Sequence, residues 1–147
     1  YLEEPVMNRT MLSKLLKKGA TPPPIALDET TREISHEELA QYKVKAIVLK
    51  PTLLGFQATI DFAQQAYRLG ITPVIGSSFE SGLGLSILAH IAAALNIDET
   101  PAGLDTYSWF AEDIISGSLP VKNGSINLID LCDPETVLDS PLLKRII

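Results

Sequence analysis

Short apolar, β-rich runs alternate with helical ones along this chain at a nearly fixed interval, and that rhythm limits the fold more than any other feature. The residues that close successive apolar runs are Glu3, Asp28, Lys50, Ser78 and Asp105, spaced 22 to 28 residues apart. Strand, helix and return within so few residues is the βαβ unit of a parallel sheet. Consecutive units of this length build either a doubly wound sheet or a (β/α) barrel, and both carry function at the C-terminal ends of their strands. A complete eight-unit barrel needs about 250 residues. A chain of 147 residues is therefore at most part of one.

The runs are legible one by one. Tyr1 to Glu3 reads as the tail of a strand. Met7 to Lys18 places Met7, Met11, Leu12, Leu15 and Leu16 at helical spacing, with Gly19 positioned to end it. Pro22-Pro23-Pro24 stiffens the entry to Ile25-Ala26-Leu27-Asp28. Ser35 and Glu38 form a capping-box pair that opens a short helix through Tyr42. Val44 to Leu49 is the clearest strand and stops at Lys50-Pro51. Phe56 to Leu69 is an amphipathic helix closed by Gly70, Ile71 to Ile75 the next strand, and Leu83 to Leu95 the next helix. Leu104 falls in a last short strand.

After Asp105 the pattern changes. Tyr107 to Ile115 reads as a helix, Leu119 to Leu128 as a hairpin turning on Asn123-Gly124, and Pro141 to Ile147 as a short apolar tail. The expected organisation is a partial barrel over residues 1–106 and a helix-and-hairpin segment over 107–147 that packs elsewhere.

Composition narrows the partners. Eighteen acids against twelve bases leave a net charge of −6, and neither nucleic acid nor an anionic membrane rewards an acidic protein. No apolar run approaches the roughly 18 residues of a membrane span. The single cysteine, Cys132, excludes an internal disulfide. The opening Tyr1-Leu2-Glu3-Glu4-Pro5 is neither a signal peptide nor an initiator methionine and reads as the middle of a longer chain. The expected location is the cytoplasm.

Chemistry is expected where the strands end. Glu3, Asp28 and Lys50 each follow a run that belongs in the interior, and neighbouring parallel strands lie only about 4.8 Å apart. Three such residues on consecutive strands reach one mouth. Two carboxylates suit Mg²⁺, which takes hard oxygen ligands and keeps some water. A lysine beside the metal moves a proton or opposes a developing negative charge. Taken singly, each is also the ordinary charged residue that ends a strand and faces solvent. Strand alternation sends Glu3 and Glu4 to opposite faces, so one of them points into the mouth. The sequence leaves that choice open, and the same question attaches to Glu29 beside Asp28.

Gly76-Ser77-Ser78 opens the connection from a strand to the glycine-containing helix start Ser81-Gly82-Leu83-Gly84. Small residues let the backbone approach a ligand, and free amides at a helix start hold a carboxylate. A serine cap with glycines for close packing accounts for the run equally well. It is neither a Walker loop nor a dinucleotide fingerprint. His36 is expected on the solvent side of its helix and His90 at the edge of the core, so a zinc site is not expected. No Gly-x-Ser-x-Gly elbow is present.

Five segments occur in a fixed order: Leu2-Glu3-Glu4-Pro5, Ile25-Ala26-Leu27-Asp28-Glu29, Val48-Leu49-Lys50-Pro51, Ser77-Ser78-Phe79-Glu80-Ser81 and Pro101-Ala102-Gly103-Leu104-Asp105-Thr106. In them the chain resembles the C-terminal half of the o-succinylbenzoate synthase family of the enolase superfamily. The resemblance implies a (β/α) barrel under an α+β cap, this chain running from about strand four to strand eight, with the segment after Tyr107 returning to the cap. It implies Glu3 and Asp28 as Mg²⁺ ligands and Lys50 as the strand-six lysine of the active site, an acid/base residue or a cation. Gly76, Ser77 and Ser78 would lie near the substrate's carboxyl-bearing tail.

The reaction implied is the Mg²⁺-dependent loss of water from a succinyl-hydroxycyclohexadiene carboxylate, on the route to menaquinone or phylloquinone. The family's second lysine and third metal carboxylate precede this segment, so the N-terminal half is an expected partner and the segment alone is expected to be inactive. An N-succinylamino acid racemase or dipeptide epimerase would reuse the same ligands. Epimerases tend to carry an Asp-x-Asp on strand eight, whereas Asp105 is followed by Thr106 and Tyr107. Outside the superfamily, a receiver-like signalling module fits the length and the strand-end acids, but receivers place their lysine after the last strand and Lys50 follows the third. A non-catalytic interaction domain is the least specific alternative.

Overall fold

The computed structural model describes residues 1–17, 23–95, 100–115, 119–131 and 143. Four parallel strands, β1 (Leu2–Glu3), β2 (Ile25–Leu27), β3 (Ala46–Leu49) and β4 (Thr72–Ile75), form one sheet in sequence order. The helices between them are α1 (Arg9–Lys17), α2 (Pro51–Leu54) and α3 (Phe56–Leu69), and α4 (Gly82–Ala94) follows β4. The expected fifth strand is present only as a parallel bridge between Gly76 and Gly103. Leu104, next in sequence, is buried in the core.

Alternation along the strands divides the sheet into two faces. Ile25, Leu27, Ile47, Leu49 and Ile75 join Leu12 of α1, Phe62, Ala63 and Ala66 of α3, and Leu85 and Leu88 of α4 in one core cluster. The opposite face carries the small residues Ala26 and Ala46 with Val74. Burying one large aliphatic side chain contributes about 1.5–3 kcal/mol, so the helix-covered face supplies most of the stabilisation. That division leaves the other face free for polar groups at its upper edge.

Helix ends follow local chemistry. Gly70 closes α3 in the left-handed region at φ 68°, its amide donating to the Ala66 and Tyr67 carbonyls. Ser81 caps α4 by accepting from the Gly84 amide at 3.3 Å. The capping box of Ser35 and Glu38 is present, with Ser35 N donating to Glu38 Oε2 at 2.8 Å and Glu38 N to Ser35 Oγ at 3.4 Å. It opens a 3-10 turn over Glu38–Gln41. Helix α2 is a single turn that follows β3 through Lys50. Pro51 supplies its first residue with φ already fixed, and Gly55 at φ 86° separates it from α3.

The helix expected over Tyr107–Ile115 is instead a 3-10 turn at Tyr107–Trp109. Phe110 is extended, and the Ile115 amide donates to its near neighbour, Asp113 Oδ1 at 3.0 Å, in place of a helical carbonyl. The expected hairpin is present as β5 (Val121–Lys122) and β6 (Ser125–Ile126), antiparallel across Asn123 and Gly124, both at positive φ. It lies beside α4, where Ala89, Ala92, Val121, Ile126 and Leu128 line one hollow. Gly19, Cys132 and, Leu143 apart, the tail at 141–147 fall outside the described residues.

Arg9 ties α1 to the turn at Glu38–Gln41, donating from Nε to the Tyr42 hydroxyl at 3.0 Å and from Nη2 to Glu38 Oε1 at 3.3 Å. The Glu38 carboxyl is held below its ordinary value, first by the Ser35 amide and then by Arg9. A lowered carboxyl favours the folded state above its unfolded titration range and loses that contribution as pH falls through its folded value. Glu38→Gln should therefore lower stability slightly at neutral pH, leave it nearly unchanged at the acid end and so flatten part of the acid limb, as measured by thermal melts between pH 3 and 7. An acid limb identical to the parent's would assign that limb to other carboxyls.

Candidate functional site

Strand parity and register build the site. Glu3 is level with Ala26, and Ala26 with Ala46, so all three face the side away from the helices. Leu27 pairs with Ile47 and Leu49 with Ile75. One residue further, Asp28 is level with Val48 and Lys50 with Gly76. The three charged residues thus share one face and rise in steps from strand to strand, the stagger that closing a barrel requires. A cavity of about 440 Å³ opens at this edge, lined by Glu3, Asp28, Lys50, Gly76, Ser77 and Thr106 among others.

Lys50 Nζ lies 2.6 Å from Asp28 Oδ2. Asp28 is buried, Lys50 is half-buried, and Glu3, on the edge strand, is exposed. Pairing matters because an ammonium or carboxylate removed from water is costly alone. Gly76 makes room for Val48: a Cβ there would stand 2.9 Å from Val48 Cγ1, whereas Lys50 Cγ at 3.8 Å would be in ordinary contact.

The competition between Glu3 and Glu4 resolves geometrically. Glu4 leaves the strand at φ 38° and turns its carboxylate to the β2 connection, where Oε2 accepts from the Asp28 amide at 2.8 Å and Oε1 accepts from the Thr30 hydroxyl. Glu4 thus fixes the backbone that carries Asp28, while Glu3 lines the cavity. The alternation of Glu3-Glu4 before Pro5 held this signal, but the acceptor's partner is a strand away and invisible locally. Glu29 is exposed and lies outside the mouth, in a separate hollow with Glu4 and Glu33.

Gly76 and Ser77 line the mouth; Ser78 does not. Ser77 donates from both N and Oγ to the Gly103 carbonyl, each at 2.9 Å, and its hydroxyl accepts from Thr106 Oγ1 at 3.1 Å. The expectation that amides at this helix start stand free for a ligand carboxylate is corrected in two places. Ser78 N donates to Glu80 Oε2 at 2.6 Å and Gly82 N to Asp113 Oδ2 at 2.8 Å, so the chain's own acids occupy them. Negative charge at this helix start is favourable whichever molecule supplies it.

The histidines lie elsewhere. His90 is exposed, not at the core edge, with Nδ1 2.8 Å from the Ser86 carbonyl one turn earlier. His36 stands edge-on to Phe62 and 3.1 Å from Glu37, whose carboxyl lies below its ordinary value through hydrogen bonds from Ser35 and its own backbone, with a smaller charge effect from His36.

Among the described residues no group of three or more His, Cys, Asp and Glu is placed to hold a metal ion. The mouth instead offers two carboxylates, Glu3 and Asp28. Glu3 is open to water and Asp28 is buried against Lys50, so the mouth holds hard oxygen donors of the type Mg²⁺ takes, one of them engaged by the lysine.

No family model matches the chain. Among solved structures, it is similar to MenC from Desulfotalea psychrophila, with a TM-score of 0.69 and 29% identity over 83% of this chain and 35% of that one. It also matches an N-succinyl Arg/Lys racemase from Bacillus cereus in fold, with a TM-score of 0.71 at 22% identity over 97% of this chain and 40% of that one. The fold is the C-terminal part of an enolase-superfamily (β/α) barrel.

In sequence it is 42% identical over 116 residues to o-succinylbenzoate synthase of Proteus mirabilis, covering 78% of this chain and 35% of that protein. It is 44% identical over 107 residues to that of an Escherichia coli strain, covering 72% and 32%. Within the superfamily, the chain is homologous to the o-succinylbenzoate synthases and spans about a third of their length.

The crowding at Gly76 yields a direct test. Gly76→Ala should destabilise the chain by about 1–3 kcal/mol, the usual cost of overpacking a filled site, as measured by urea unfolding. An unchanged midpoint would mean that Val48 has room to move aside.

Proposed function

We propose that this chain is the C-terminal part of a Mg²⁺-dependent o-succinylbenzoate synthase, dehydrating 2-succinyl-6-hydroxy-2,4-cyclohexadiene-1-carboxylate to 2-succinylbenzoate. The observation that carries the reading is the contact of Lys50 with Asp28 at 2.6 Å inside a mouth that Glu3 also lines, in a chain homologous to synthases of that name. On this reading Glu3 and Asp28 would hold Mg²⁺, which would supply positive charge toward the substrate carboxylate. Lys50 serves at the carbon next to that carboxylate as the acid/base or cationic group. The proton and the ring hydroxyl depart together as water, and aromatisation drives the step. Gly76 and Ser77 form the wall toward the substrate's succinyl tail.

The same reading assigns the remaining barrel strands, with a second lysine and a third metal carboxylate, to an N-terminal part supplied with this chain. Residues 107–147 would lead back to the cap. A cytoplasmic setting fits, and no helix among the described residues is long and apolar enough to cross a membrane. Similarity to the L-Ala-D/L-Glu epimerase of Bacillus subtilis, at 25% identity and a TM-score of 0.68 over 83% of this chain and 34% of that one, makes racemisation the competing activity.

The test joins the N-terminal part of the Proteus mirabilis relative to this chain and assays dehydration and N-succinylamino acid racemisation side by side. Dehydration by the fusion, and none by the chain alone, is expected. Lys50→Ala should lower kcat by about 10²–10⁴-fold, the usual share of a positioned acid or base, with the melting temperature retained. Mg²⁺ should raise the melting temperature of the fusion, and Asp28→Asn should remove that rise. Racemisation without dehydration, or near-parent rates in Lys50→Ala, would overturn the assignment.

A further inference from the structure

The proposed reaction leaves one half-buried carboxylate without a task. Glu80 sits in the turn between β4 and α4 and is not among the residues lining the mouth. Its Oε2 accepts from the Ser78 amide at 2.6 Å. Its Oε1 is buried without a hydrogen-bond partner among the described residues, and so is the Ser78 hydroxyl. A carboxylate oxygen left in this state is expensive, so the turn must gain something by holding it.

Two further features show that the surroundings accommodate this side chain. Gly84 in the first turn of α4 leaves the space the Glu80 stem fills, since a Cβ there would stand 2.6 Å from Glu80 Cβ and 3.1 Å from its Cγ. Phe79, between Ser78 and Glu80, takes φ 64°. A bulky residue in the left-handed region is strained, and the strained peptide folds Glu80 back over Ser78. The amide it grips adjoins Ser77, whose hydroxyl is held between Gly103 and Thr106 on the mouth wall.

Resting on the function proposed above, we propose that Glu80 is a positioning residue: by clamping the Ser78 amide it fixes Ser77 and Thr106 at the mouth, where they meet the carboxylate-bearing tail of the substrate. Its contribution is geometric. Glutamine, whose carbonyl can accept from the same amide, should replace it.

The fusion described above, carrying Glu80→Ala or Glu80→Gln, tests this by steady-state kinetics. Glu80→Ala should raise KM about tenfold while kcat stays within about threefold, and Glu80→Gln should return KM to within about twofold of the parent. A role confined to holding the turn folded would lower the amount of active enzyme and leave KM unchanged. In parallel, amide exchange by NMR on the 147-residue chain should show Ser78 exchanging at least about tenfold faster in Glu80→Ala, with Gly82, held by Asp113, unaffected. An unchanged KM in Glu80→Ala, a Glu80→Gln variant as impaired as alanine, or unaltered Ser78 exchange would each overturn the proposal. A fusion with native Glu80 that fails to turn over would instead count against the proposed reaction, and the exchange measurement would still decide whether Glu80 clamps the turn.

Discussion

Parallel pairing with a constant stagger is the constraint on which the rest depends. Once Leu27 is level with Ile47 and Leu49 with Ile75, parity leaves no freedom for Asp28 and Lys50. Both must emerge on the face that the helices do not cover, a step apart, within salt-bridge reach. A slip of one residue in β3 would turn Lys50 into the helix layer and bring Leu49 to the mouth. The apolar pattern that builds the core and the charged pattern that builds the site are therefore two readings of a single register. The large aliphatics at 25, 27, 47, 49 and 75 enforce it from the helix side.

Concentrating charge at that edge requires partners for each group. Asp28 has Lys50 on its carboxylate and Glu4 on its amide. Gly76 yields its side-chain volume to the Val48 side chain on the neighbouring strand. Asp113 and Glu80 occupy amides around the β4–α4 turn, where the positive end of the helix dipole rewards them. These contacts come from four separate connections, so the mouth is a meeting point of loops over a rigid sheet, the arrangement that suits barrel enzymes to chemistry.

What was legible in the sequence was what is locally encoded. The capping box at Ser35 and Glu38, helix α3 with Gly70 behind it, and the Asn123-Gly124 hairpin each carry their instructions within a few residues. So do the strand-end charges, because parity needs only two neighbours. What was not legible depends on distant partners. Residues 107–115 have helical composition, yet the Asp113 carboxylate finds the Gly82 amide 31 residues away and the segment follows it. The carboxylates of Glu4 and Glu80 look like solvent-facing acids until the turns they hold are known. His90 sits among apolar neighbours in sequence while α4 turns it to solvent.

The edge of the sheet carries the same logic further. Strand β1 is two residues long, its outer side has no strand partner among the described residues, and Tyr1 and Leu2 are 60% and 52% exposed. Glu3 is exposed for the same reason. An exposed carboxylate in water binds a divalent cation weakly, since solvent competes for both, whereas the same group walled by neighbouring strands works in a lower dielectric. Asp28, flanked by two strands, already has such walls. The asymmetry between the two proposed ligands is thus a measure of how much of the mouth this third of the relatives' length encloses. Closing the barrel beyond β1 would bury Tyr1 and Leu2 and bring Glu3 into the environment that Asp28 now has. The electrostatic strength of the site therefore depends on barrel closure as much as on the identity of its side chains.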